Sequence, residues 1–233
     1  MQVGGNQILS ILENKQIALN QIHHIFVTHA HTDHVLGIIW VIRMIGQKIN
    51  QGKYEGTLYI YAHKELIEKI KTICNLTLPK KITNLFEQNI IFVEVKDHEQ
   101  KEILGEEFTF FDINSTKEKQ FGFSLAYDNK KLTCLGDEPY SENSQKYVEN
   151  ATYLLCEAFC LYEDREKFKP YEKHHSTVKD AAEIAEKFQV KNVVLWHTED
   201  SDMQNRKEKY TKEAMQYYHG NIYVPNDLEE IEI

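Results

Sequence analysis

The stretch FVTHAHTDHVLG, residues 26–37, gathers His29, His31, Asp33 and His34 into six consecutive positions. Neutral imidazole and carboxylate are the donors that zinc and similar divalent ions take. His29 and His31 stand two apart, so at a strand end their side chains leave on the same side. Asp33 and His34 follow in a turn that opens the next helix, and that turn can bring them beside the first pair. The competing explanation is a polar turn that happens to be rich in histidine. The chain has 11 histidines in 233 residues, and so compact a cluster seldom arises by accident at that frequency. Metal binding is the favoured reading.

The elements that must position this cluster follow from hydrophobic patterning. Residues 8–19 read as a helix, and 22–28 (IHHIFVT) as a short strand ending at the histidines. A helix over 35–49, a strand over 57–62 (TLYIYA) and a helix over 64–74 come next. Residues 90–95 and 107–113 are rich in β-branched and aromatic residues and read as strands. Strands 121–127 and 131–135 pair as a hairpin across Asp128-Asn129-Lys130. Residues 153–158 form another strand, 177–188 an amphipathic helix, 193–196 (VVLW) a buried strand, 206–219 a helix and 222–224 a last strand. Antiparallel meanders interspersed with helices suggest an α/β fold of two packed sheets with helices outside.

Bulk properties narrow the class. Hydrophobic residues make up 42% and charged residues 27%, as in an ordinary globular protein. No linker, repeat or low-complexity tract appears, so a single domain over 1–233 is expected. No apolar run reaches the roughly 18 residues of a membrane span, and no secretory signal is visible. A cytoplasmic location and no membrane partner are expected. Cys74, Cys134, Cys156 and Cys160 lack the spacing of a disulfide framework, and Cys156 and Cys160 read as buried thiols rather than a metal pair. A net charge of −9 disfavours nonspecific nucleic-acid binding through the whole surface. The stretch KTICNLTLPKK (71–81) reads as a solvated helix end.

T-H-x-H-x-D-H at a strand end resembles the signature of the metallo-β-lactamase-fold hydrolases, which carry two zinc ions between two β-sheets. The resemblance continues in order down the chain to about residue 200. Leu135-Gly136-Asp137 is similar to the family's bridging-aspartate element, and Leu195-Trp196-His197 to its last-histidine element. Between them, His174-His175-Ser176-Thr177 resembles the H-S-T element of the ribonuclease Z branch, preceded in CEAFC by a segment like that branch's E-A. The resemblance implies a four-layer αββα sandwich. It further implies that His29 and His31 bind one Zn2+, that Asp33, His34 and His197 bind a second, and that Asp137 bridges both. His23, His24, His63, His98 and His219 have no motif context, and surface or packing roles are expected.

Three departures stand out. The family completes its first metal site with another histidine, and Asn114 occupies the expected position. An amide oxygen is a weak ligand beside imidazole, so the first site should lose affinity. The chain also begins almost at the VGGN turn, as though the first N-terminal strands were missing, which would expose a sheet edge and favour a homodimer. Finally, the tRNA-processing branch grips tRNA with a basic, glycine-rich arm that in many members lies between the third histidine and the aspartate. Here Asn114 and Asp137 are separated by barely enough residues for a hairpin.

The resemblance therefore implies a zinc-dependent phosphodiesterase of ribonuclease Z type, acting on RNA, such as a tRNA precursor, or on a smaller phosphodiester. Metal-activated hydroxide would be the nucleophile. Asp33 would help hold it, and His175 would protonate the departing oxygen. The HHST stretch can also simply cap its helix through Ser176 or Thr177. Two alternatives remain open: a hydrolase of thioesters, lactones or sulfate esters on the same fold, and a catalytically weakened binding protein, which Asn114 would suit.

Overall fold

The computed structural model describes residues 7–233, so the VGGN turn lies outside the described residues. The chain divides into two compact units, Met1–Lys96 and Asp97–Ile233.

The first unit runs α1 (Ile8–Asn14), β1 (His24–Phe26), α2 (Thr32–Asn50), β2 (Leu58–Ala62), α3 (Lys64–Thr77), α4 (Lys80–Thr83) and β3 (Ile90–Glu94). Its sheet has the order β1-β2-β3 and is parallel throughout. Parallel neighbours need a crossover, and α2 and α3 supply it. Helix α2 buries Val35, Ile38, Ile42 and Ile45, spaced three and four apart along one face. Helix α3 does the same with Leu66, Ile70 and Cys74. They share a core with Ile25, Leu58, Ile60 and Ile90 from the strands.

The second unit runs β4 (Gln100–Ile103), β5 (Glu106–Asp112), β6 (Phe121–Tyr127), β7 (Lys130–Cys134), α5 (Gln145–Val148), β8 (Tyr153–Glu157), α6 (Arg165–Phe168), α7 (Val178–Lys187), β9 (Asn192–Trp196), α8 (Arg206–Ala214) and β10 (Asn221–Tyr223). Its seven-stranded sheet has the order β10-β9-β8-β7-β6-β5-β4. Strands β4 to β7 form an antiparallel meander, and β7 to β10 are parallel. Val178, Ala181, Ala182 and Ala185 of α7 pack with Leu154, Cys156, Val193 and Leu195 of β8 and β9. Alanines on the helix allow close approach to the sheet. Each unit is thus a sheet flanked by helices.

Several sequence expectations are corrected. Among the described residues the sheet of the first unit contains no antiparallel pair, since β1 and β2 are each followed by a helix rather than a tight turn. The first helix ends at Asn14, with Gln16 at φ +54°, and the strand expected over 22–28 spans only His24–Phe26. The helix expected to 219 stops at Ala214. Strand β4 was not foreseen, because QKEI has no apolar alternation and only Ile103 is buried. The hairpin turn is Asp128-Asn129 alone, since Lys130 already pairs with Tyr127. Both turn residues have positive φ, 43° and 59°, the backbone of a type I′ turn.

Candidate metal and catalytic site

In an open sheet of parallel strands, binding residues collect beyond the carboxyl ends of the strands. Both units obey this rule. His29 and His31 follow β1, Asp137 follows β7, Glu157 ends β8, and His197 follows β9.

In the first unit the chain leaves β1 through Val27 and Thr28 and enters α2 with His31 as N-cap residue. Asp33 and His34 therefore lie inside the first turn of the helix rather than in a turn before it. An acidic residue there complements the helix dipole. His29 is fully buried, His34 is buried, and Asp33 is exposed. His29 Nε2 and His31 Nδ1 approach to 2.9 Å, with the rings edge-on. The rings of His29 and His34 are 4.2 Å apart, and His34 Nε2 is 3.2 Å from Asp33 Oδ2. Thr28 Oγ1 lies 3.0 Å from His29 Nδ1. When Nδ1–H donates to that hydroxyl, the lone pair of Nε2 is left for a cation, the usual outer-shell arrangement of a ligating histidine.

In the second unit Gly136 turns the chain out of β7 at φ +72°. A Cβ there would collide with the amide nitrogen of buried Gln120, so the LGD turn needs glycine on both steric and conformational grounds. The turn presents buried Asp137. Glu157, fully buried, is the hub of this group. Its Oε2 is 3.0 Å from His175 Nδ1 and 3.6 Å from His197 Nδ1, while its other oxygen accepts from the Ser176 backbone N–H. The hydroxyl of Ser176 donates to the Glu157 carbonyl at 3.0 Å. His197 Nε2 points the other way, 3.7 Å from Asp137 Oδ2. Glu157, His175 and His197 meet the geometric requirement for holding an ion. His197 has φ +51°, in the left-handed region where histidine is over-represented. Thr177 caps α7 through a reciprocal capping box with Asp180, so the HHST stretch is a helix start as well as a carrier of His175.

This donor chemistry fits a divalent cation. Two buried carboxylates stand beside imidazoles, and buried anions need a compensating positive charge. His197 lies between two buried carboxylates, Glu157 3.6 Å from Nδ1 and Asp137 3.7 Å from Nε2, within ion-pair range of each.

Asn114 is exposed just beyond β5 at φ +55°, and its backbone N–H donates to Asp112 Oδ1 at 2.8 Å. His63 is buried and caps α3, His98 lies 2.6 Å from the Tyr147 hydroxyl, and His219 pairs with Glu186. All four cysteines are free and buried. Burial pushes the Cys160 thiol up to about 12 and that of Cys156 higher still, so neither is a ready thiolate ligand. Sequence reasoning noticed the E-A segment but did not count Glu157 among the site residues. The available signal was a carboxylate closing an apolar strand shortly before HHST.

Residues 6–198 match the Beta-lactamase superfamily domain, so the chain belongs to that family and has the metallo-β-lactamase fold. Among curated proteins it is 24% identical to ribonuclease Z of Bacillus thuringiensis (strain Al Hakam) and of Bacillus cereus (strain AH820). Each comparison covers 91% of this chain and 82% of the relative. Among solved structures it is similar to YhfI, a metallo-β-lactamase fold protein of Bacillus subtilis. The TM-score is 0.73 at 18% identity, covering 96% of this chain and 82% of that one. It is also similar to the short form of human tRNase Z, with a TM-score of 0.71 at 20% identity, covering 99% and 86%. A diphosphatase from the PhnP family gives 0.74 at 18% identity, covering 99% and 78%. The protein is a metallo-β-lactamase-fold hydrolase with distant similarity to ribonuclease Z. Among the described residues, no helix is long and apolar enough to cross a membrane.

Proposed function

We propose that the protein is a zinc-dependent phosphodiesterase of ribonuclease Z type, acting on RNA such as a tRNA precursor or on a smaller phosphodiester. The single observation that carries this reading is the hold of buried Glu157 on His175 Nδ1 at 3.0 Å. Glu157 holds the Nδ1–H, so a second proton, taken up at Nε2, is the one the ring can deliver. In this reading zinc would be held by His29, His31, Asp33 and His34 of the first unit and by Asp137 and His197 of the second, with Asn114 the weak replacement for a histidine. Zinc would supply a water of lowered pKa and would stabilise charge on the phosphoryl oxygens.

The residues of the chain do the rest. Asp33 orients the attacking water. The water gives a proton to Asp33 as its oxygen bonds to phosphorus and the bond to the departing oxygen breaks, and His175 Nε2–H protonates that departing oxygen. Glu157 balances the charge of the imidazolium before transfer and keeps the ring aimed. The name of the curated relatives lends support, since a ribonuclease cuts phosphodiester bonds of RNA. Asn114 favours a second reading, a metal-binding protein of reduced turnover, because an amide holds zinc poorly.

Metal content per chain, together with hydrolysis of bis(p-nitrophenyl) phosphate and of a 3′-extended RNA, tests both readings. Bound zinc with turnover supports the phosphodiesterase. Bound zinc with no turnover of either substrate supports the second reading, and a chain that takes up no zinc rules out both.

A further inference from the structure

We propose that Phe159 is a positioning residue for His175, which rests on the reading of His175 as the group that protonates the departing oxygen. The Phe159 ring stacks on the imidazole with centroids 4.9 Å apart and planes only 19° from parallel. Glu157 holds one nitrogen, and a single hydrogen bond leaves the ring free to roll about the Nδ1···Oε2 line. A parallel aromatic face in contact with the imidazole blocks that roll. The two contacts together set both the position and the tilt of Nε2, and a small error in aim is costly in proton transfer.

Phe159 is itself well anchored. Its backbone N–H donates to the Ser176 carbonyl at 3.0 Å, tying it to the segment that carries His175. Its carbonyl accepts from the Glu199 N–H at 2.7 Å, tying it to the chain just beyond His197, and from the Tyr210 hydroxyl of α8 at 3.0 Å. The ring of Phe168 meets Phe159 edge-on at 6.3 Å, and Lys173 Nζ is 5.6 Å from its centroid. The residue is nonetheless only partly buried, so core packing alone does not account for a ring stacked on His175 and met edge-on by Phe168.

The test compares Phe159→Leu, which keeps bulk without a π face, with Phe159→Tyr, which keeps the face. Proton NMR of the His175 ring reads the stack without any turnover. Its carbon-bound protons are expected upfield in the wild type and in Phe159→Tyr, and shifted downfield in Phe159→Leu. Kinetics read the consequence. For a phosphodiester with an alkoxide leaving group, Phe159→Leu should lower kcat about tenfold at unchanged KM, and Phe159→Tyr should restore it. Bis(p-nitrophenyl) phosphate, whose leaving group needs no proton, should be cleaved at the wild-type rate by both. Unshifted His175 protons in Phe159→Leu would overturn the stack. An equal loss on both substrates would overturn the positioning role in favour of a structural one. If His175→Ala cleaves the alkoxide substrate as fast as the wild type, the acid role fails and takes the proposal with it. If His175→Ala is impaired while Phe159→Leu is not, only the positioning role fails.

Discussion

Glu157 and His197 are brought together by strand register. Glu157 lies opposite Trp196 across the parallel β8–β9 pair, so His197, one residue further on, comes to lie with Nδ1 3.6 Å from the Glu157 carboxylate. His175 reaches the same oxygen from the start of α7 at 3.0 Å. One buried carboxylate thus orients the proposed acid and a proposed metal ligand together. Glu157→Gln would place an amide where two donors now point at oxygens. Phosphodiesterase turnover should fall about 10–100-fold, and chelator titration should show weaker zinc retention. Unfolding in urea should show a loss of about 1–3 kcal/mol, the cost of leaving a buried donor unsatisfied.

His175→Ala should discriminate between leaving groups. Loss of a general acid lowers rates by about 10²–10⁴-fold where the departing oxygen must be protonated. Cleavage of bis(p-nitrophenyl) phosphate should be much less affected. Paired rate measurements on that substrate and on an RNA linkage check this, and equal losses on both would remove His175 from the acid role.

Asn114→His should raise the zinc content per chain and the diesterase rate. The left-handed backbone at this position, φ +55°, tolerates histidine, so folding is not expected to suffer. Elemental analysis after dialysis reads the first effect. No increase in either metal or rate would show that the missing ligand belongs elsewhere in the chain.

Removal of metal should lower thermal stability. An ion that binds only the folded chain contributes about 2.7 kcal/mol at a free concentration one hundred times its dissociation constant. EDTA should therefore lower Tm in the wild type and have little effect in the double variant Asp137→Asn/His197→Ala. Calorimetric scans with and without chelator make the comparison.

Gly136→Ala should destabilise the second unit by at least about 1–2 kcal/mol, the cost of a left-handed L-residue, before any clash is counted. The clash is with Gln120, so adding Gln120→Ala should recover part of the loss and leave the backbone cost in place. Denaturant midpoints of the single and double variants separate the two contributions.

Glu213 gives a pH signature in the opposite direction from a salt-bridged acid. Burial raises its pKa above the ordinary 4.5, against the lowering effect of backbone donors from Tyr162 and Lys179. The folded chain therefore keeps a proton that the unfolded chain has already lost, and stability falls as pH rises from the ordinary value to the raised one. Above that window both states are ionised and the penalty is constant. The difference in unfolding free energy between wild type and Glu213→Gln, followed across this range, should show that slope.

The parts of the site that were legible in the sequence share one physical cause. His29, Asp137 and His197 each follow an apolar run that had to be a buried strand, so the polar residues just past it had to sit at a strand end. The role of Glu157 was harder to read. Its significance comes from the pairing of β8 with β9 and from the entry of α7, which are contacts between distant segments. Phe159 was hidden for the same reason, since an aromatic residue in CEAFC looks like core until its ring is seen against His175. Strand β4 was illegible because an edge strand with polar residues on both faces has no alternation to detect. The first turn of α2 was placed too late because Thr32, Asp33 and His34 read as turn residues, although an acidic residue at a helix start is favourable.

The Asp128-Asn129 turn bears on how the molecule can be engineered. Tyr127 and Lys130 face each other across the ladder, so the chain leaves and re-enters the sheet at almost the same point. A peptide spliced between the two turn residues, such as a fluorescent reporter or an RNA-gripping module from another protein, would have both ends anchored there with little demand on the sheet. New termini opened at that tip would likewise leave the strands that carry Asp137, Glu157 and His197 unbroken.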